Sequence, residues 1–272
     1  MLNLHFLRDR RRAALIVEPF PPLWETYLNE HVAHYRYLSD EEAARLRDDL
    51  RIFVAEKTWE GAGGSEVTDE MRVTVAAQAC LLLLGWDDAH RAELFPNAPT
   101  VIVYPAGFRA SRKRRQGFLE GEEQSDLLGE AWEGDWPVVL AWDSVRAGGE
   151  DAEDGENLVL HEFAHKLDME NGTADGVPRL HTPGAYDMWT TAFASAYQAL
   201  RNDAQRGHHS LLSSYGATNE AEFFAVATEA FFERAVQMRE QMPALYDVMR
   251  TYYQQDTAAR LERASLTTDA TR

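Results

Sequence analysis

The sequence is poor in cysteine, in cations and in long apolar runs. A single cysteine, Cys80, stands among 272 residues. That excludes an internal disulfide framework and every thiolate-rich zinc site, so any bound metal must be held by histidine and carboxylate. Lysine and arginine number 27 against 45 aspartates and glutamates, a formal net charge of −18. Such a charge repels phosphate backbones and argues against direct binding to nucleic acid. The N-terminal cations Arg8 and Arg10 to Arg12 precede an apolar run, Ala13 to Val17, that is too short for a signal peptide. The longest other apolar stretch, Val73 to Trp86, contains Thr74 and Gln78 and falls short of a membrane span. The expectation is a soluble, cytoplasmic protein without membrane contact.

What is present is a globular composition, 45% hydrophobic and 11% aromatic. The first third reads as helical. An amphipathic segment runs from Leu23 to about Tyr37, and Ser39-Asp40-Glu41-Glu42 is a capping box. Leu46, Leu50, Phe53 and Val54 follow at helical spacing. Thr68-Asp69-Glu70 opens a further helix, apolar nearly all round and therefore central. The middle third holds two β-branched runs, Thr100 to Tyr104 and Val138 to Trp142, which read as short strands. Between them Arg109 to Arg115 forms a basic stretch, read as a solvated loop, and Gly148 to Glu156 reads as an acidic connector. The last third returns to helix over Asn157 to Asp168, Tyr186 to Leu200, Glu220 to Arg239 and a final segment from Pro243. Helices, strands and helices in that order predict an α+β fold. The expected organisation is a helical N-terminal region over 1–98, a core over 99–264 and a frayed tail over 265–272.

Residues 158–168 read LVLHEFAHKLD and contain His161-Glu162-Phe163-Ala164-His165. On a helix, positions i and i+4 lie on one face, so both imidazoles can reach one ion. Neutral histidine suits Zn²⁺, and Glu162 beside the first histidine is placed to act as general base on a water. A third ligand six residues after the motif would need histidine, but Asn171 stands there, with Asp168 where that subclass needs glycine. His181, His208 and His209 lie in loop-like sequence, and Asp175 is only a weak echo of an aspartate ligand. The better source is the helix from Glu220 to Phe232, where Glu222 and Glu229 share a face. Spacing alone does not choose between them.

The chain resembles the Mlc titration factor family of bacterial zinc metallopeptidases, whose site is of the gluzincin type. The resemblance runs from about Phe20 to Arg260. It rests on Thr68 to Met71 with Ala76 to Cys80, Ile102 to Pro105, Gly129 to Trp132, Val138 to Trp142, His161 to Asp168 and Asn171 to Gly176. Tyr215 to Asn219 with Ala221 to Val226, and Tyr252 to Asp256, complete it. It implies a zincin-like core, Zn²⁺ on His161, His165 and Glu222, catalysis by Glu162, and an oxyanion role for Tyr215. Asp168 and Glu229 then become carboxylates behind the ligands. A strand near Glu130 to Glu133 or Val138 to Trp142 would pair with extended peptide substrate. The implied activity is aminopeptidase-like. The family name also implies an alternative function, a regulatory protein that sequesters a transcriptional repressor.

Overall fold

The computed structural model describes residues 2–88, 91, 93–105, 136–180 and 184–269. The basic stretch Arg109 to Arg115, the segment Glu130 to Glu133 and His181 lie outside the described residues. The N-terminal layer comprises α1 (Leu2–Val17), α2 (Pro22–His31), a 3-10 turn (Ala33–Tyr37), α3 (Asp40–Glu56), β1 (Thr58–Gly61) and α4 (Asp69–Leu83). Then come β2 (Thr100–Tyr104), β3 (Val138–Ala141), α5 (Trp142–Glu150), α6 (Leu158–Asp168) and α7 (Ala185–Arg206). The chain closes with α8 (Glu220–Glu233), α9 (Ala235–Gln241), α10 (Pro243–Tyr253) and α11 (Thr257–Asp269). Among the described residues the result is mostly helical with one small sheet, an α+β architecture.

Local chemistry sets these boundaries. Ser39 Oγ accepts from the Glu42 N–H at 3.2 Å while the Glu42 carboxylate accepts from the Ser39 N–H at 2.9 Å, so the capping box forms at the start of α3. Thr68 caps α4, whose residues from Val73 to Leu83 are all buried. Helix α4 is therefore the central helix, packed by α2, α3, α5 and α6. The strands run in the order β1-β2-β3, all parallel, with Trp59 opposite Val101 and Ile102 opposite Val139. β3 lies at one edge and touches α6. Buried Lys166 of α6 donates to the Trp136 carbonyl at 2.6 Å, and Asn97 donates to the Lys166 carbonyl at 2.7 Å. The approaches to β2 and β3 are thus pinned to the helix that carries the two motif histidines.

Four elements differ from the pattern in the sequence. Gly148 and Gly149 do not begin a loop but end α5. Both are buried, and a Cβ on Gly149 would lie 2.3 Å from the His31 carbonyl oxygen, so close packing on α2 outweighs poor helix propensity. The helix expected from Glu220 to Arg239 breaks at Arg234, where φ is −121° and ψ 36°, before α9 resumes. The last helix continues to Asp269, past the start of the expected tail. Helix α1 was not legible because Arg8 and Arg12, rather than an apolar stripe, face the rest of the protein, while Asp9, Arg10 and Arg11 stay exposed. Arg12 pairs with Glu56 at 2.6 Å, Arg8 with Glu93 at 2.7 Å, and Arg51 donates to the carbonyls of Leu15, Ile16 and Glu18, leaving Phe6 and Val17 exposed.

Candidate metal centre

Helices α6 and α8 form the most extensive helix–helix contact among the described residues. Each begins on an asparagine. Asn157 Oδ1 accepts from the Leu160 N–H at 3.0 Å, and Asn219 Oδ1 accepts from the Glu222 N–H at 2.8 Å. These caps fix where His161 and Glu222 leave their helices. His161 and His165 lie one turn apart, and their Nε2 atoms are 3.2 Å from each other. Glu222 Oε2 reaches across from α8 to 3.0 Å from His161 Nε2 and 3.5 Å from His165 Nε2. A tetrahedral ion with bonds of about 2.0–2.1 Å holds its ligand atoms about 3.3–3.4 Å apart, so the three atoms already stand at ligand spacing.

The other nitrogen of His161 explains why the set points inward. His161 Nδ1 lies 2.7 Å from Glu229 Oε1, and a carboxylate accepts, so Nδ1 carries the proton and donates. The second oxygen of Glu229 accepts from the Asn157 N–H at 2.7 Å. One buried carboxylate thereby fixes both the cap of α6 and the ring orientation of its first motif histidine. In the neutral ring Nε2 is left as a lone pair facing a carboxylate and a second imidazole. Three donors converging on one point need a cation between them, which is how the residues fit a divalent metal. Metal-free electrostatics give the same answer in protons. Burial lowers the His161 pKa, but hydrogen bonds to Glu222 and Glu229 outweigh it and push the imidazole up to about 10. For Glu222 burial acts upward, yet His161 and His165 together hold the carboxyl far below its ordinary range.

Glu162 and Tyr215 join the same place. A cavity of about 20 Å³, room for one water, is lined by Leu158, His161, Glu162, Tyr215 and Glu229. Tyr215 comes from a 3-10 turn, Ser214–Ala217, and its ring centre lies 5.9 Å from that of His161. Asp168, at the end of α6, is fully buried and accepts from the Gly176 N–H at 3.0 Å through Oδ2. Gly176 sits at φ +74°, a conformation that favours glycine. Burial pushes the Asp168 carboxyl up to about 7 despite that hydrogen bond. Asp168 Oδ1 and His165 Nδ1 are both buried without a hydrogen-bond partner. His208 and His209 are exposed, His208 pairing with Asp203 at 3.6 Å, and Asp175 lines a separate groove beside α7, so none of these joins the centre. In the sequence Asn157 reads only as the first residue of a helix, although an asparagine just before an apolar helical run is a capping signal.

Residues 6–254 match the model of the glucose-regulated metallo-peptidase M90 family. The chain belongs to that family. M90 membership and the His161, His165 and Glu222 cluster together imply a metallopeptidase built on a divalent metal. A relative in Synechocystis sp., itself uncharacterised, is 36% identical over 250 residues, covering 92% of this chain and 89% of its own. Mlc titration factor A of Serratia proteamaculans is 29% identical over 230 residues, covering 83% and 85%. Mlc titration factor A of Yersinia pestis is 34% identical over 167 residues, 60% of each chain. No helix of the described residues is long and apolar enough to cross a membrane.

Proposed function

We propose that this protein is a zinc-dependent, aminopeptidase-like hydrolase of peptide bonds with a zincin-like core and a gluzincin-type centre. The observation that carries the reading is the mutual 3.0–3.5 Å spacing of His161 Nε2, His165 Nε2 and Glu222 Oε2. Three protein ligands leave a tetrahedral ion one position for water or substrate, the arrangement of catalytic rather than structural zinc. Bound zinc supplies Lewis acidity and lowers the pKa of water toward about 7. Glu162, at the wall of the water-sized cavity, takes the proton of the attacking water and returns it to the leaving amine. Tyr215 across the cavity donates its phenol to the oxygen that gains negative charge. Glu229 holds His161 in the tautomer that turns Nε2 inward. Asp168, a buried carboxyl close enough to His165 to feel its charge, would do the same for His165 if its Oδ1 closed on Nδ1, both atoms being without a hydrogen-bond partner here. The edge strand of the described sheet, β3, held against α6, is where an extended peptide would add as a strand.

Chelation followed by zinc restoration tests the reading, with free amino-acid anilides and their N-acetylated counterparts as substrates. Hydrolysis should vanish and return with zinc, and the free amines should be preferred. Equal rates on blocked substrates would remove the aminopeptidase assignment while leaving the peptidase. A second reading is favoured by the names of the Serratia and Yersinia relatives, that of a protein which binds an Mlc-like repressor. Such binding should survive Glu162→Gln, and failure of that variant and the wild type to capture a purified repressor of this kind would remove it.

A further inference from the structure

One turn beyond Glu229 on α8 stands a second buried carboxyl that the proposed chemistry does not use. Glu233 is 2% exposed and His34, from the 3-10 turn of the N-terminal layer, 5% exposed. Glu233 Oε1 lies 3.8 Å from His34 Nε2. Both Glu233 oxygens and His34 Nε2 are buried without a hydrogen-bond partner. A carboxylate removed from water needs a cation or several donors. Among the described residues no lysine or arginine pairs with Glu233. Its neighbours instead include two further acids, Glu229 on the same helix and Asp154 from the loop before α6, with Asn157 the one amide alongside. His34 is equally badly placed to be cationic. Arg260 of α11 faces it with like charge, and the rings of Tyr37 and Phe232 flank it edge-on.

We propose that Glu233 is a proton-holding site, a carboxylic acid whose O–H is directed to His34 Nε2, so that the pair forms a neutral buried link between the N-terminal layer and α8. One proton on Glu233 removes the uncompensated carboxylate charge and, on an approach closer than the present 3.8 Å, would also supply the donorless nitrogen, whereas an ion pair would leave a cation against Arg260 and an anion against Glu229 and Asp154. The electrostatics agree in direction. Burial raises Glu233 well above the ordinary carboxyl value, with Glu229 adding to it, and burial lowers His34 to about 4, with Arg260 adding to it. A neutral Glu233 leaves Glu229 as the only negative charge among the α8 carboxyls behind His161. This inference rests on the geometry of the pair and holds whether or not the metal centre turns over peptides.

The test is carbon NMR of the purified, metal-containing protein labelled at glutamate carboxyl carbons, recorded at pH 8.5. One glutamate should still resonate as a protonated acid when the others, Glu170 included at about 7, have ionised. That signal should be missing from Glu233→Gln. A folded-state pKa above the unfolded one favours folding below the unfolded value and loses that benefit as pH rises. Glu233→Gln, which keeps a donor for His34, should therefore be at least as stable as the wild type at pH 8, with the difference growing from pH 5. Wild-type spectra with every glutamate ionised would overturn the proposal even if the variant failed to fold. So would a folded Glu233→Gln that is less stable at pH 8.

Discussion

Helix α8 presents two glutamates one turn apart, each to a histidine from a different layer, and the two pairs reach opposite states. Glu229 meets His161 at 2.7 Å, whereas Glu233 stands 3.8 Å from His34. His34 is buried and His161 nearly so, their side chains 7% and 12% exposed, so burial alone does not distinguish them. His161 has two carboxylates in hydrogen-bond contact, Glu222 and Glu229, and their attraction exceeds the desolvation cost, taking it up to about 10. His34 has one acid beyond hydrogen-bond range and Arg260 nearby, and it falls to about 4. Residue type is the same in both pairs. The count and sign of neighbouring charges decide which pair attracts a cation and which stays neutral with its proton on the carboxyl.

Exchanging the histidines breaks the comparison most sharply. His161→Ala should abolish stoichiometric metal binding and with it hydrolysis, while His34→Gln should retain metal, read by elemental analysis. The glutamates come next. Glu229→Gln should weaken metal affinity by about 10- to 100-fold, the usual effect of removing the partner of a ligating imidazole. Glu233→Gln should leave it within about twofold, and a comparable loss in both variants would dissolve the distinction.

Smaller effects appear in the pH dependence of the metal-free protein. A raised folded pKa gives stability that is full below the unfolded value near 6.5 and fades as pH climbs toward about 10, which is the case of His161. A depressed one gives stability that is full above about 6.5 and fades as pH falls toward about 4, the case of His34. Denaturant titrations should accordingly show His161→Gln flattening the alkaline limb and His34→Gln the acid limb. The smallest change expected is that of Asn157→Ala. Loss of its cap on α6 should cost about 0.5–2 kcal/mol in chemical denaturation. Its backbone N–H to Glu229 would remain.

The Glu229–His161 pair was far more legible than the Glu233–His34 pair. His161, Glu162 and His165 stand out because helical spacing is a local property, and the apolar residues between them announce a buried helix. Glu222 and Glu229 lie on one face of another helix, so spacing could bring both near the centre without ranking them. Their separation came from three-dimensional reach, one oxygen at 3.0 Å from Nε2 and another at 2.7 Å from Nδ1. His34 and Glu233 are 199 positions apart in the chain, and no periodicity links a 3-10 turn to the far end of α8. The same limit hid α1 and β1. Helix α1 turns Arg12 and Arg8 inward against Glu56 and Glu93, and β1 is a four-residue strand whose pattern is defined only by pairing with β2.

The central claim is that the cation drawn to His161 serves hydrolysis driven by Glu162. The direct measurement is zinc content and anilide hydrolysis of Glu162→Gln beside the wild type in one preparation series. The variant should bind zinc with unchanged stoichiometry and lose turnover by about 10²- to 10⁴-fold, the usual contribution of a general base. Full zinc occupancy with undiminished hydrolysis would contradict the account.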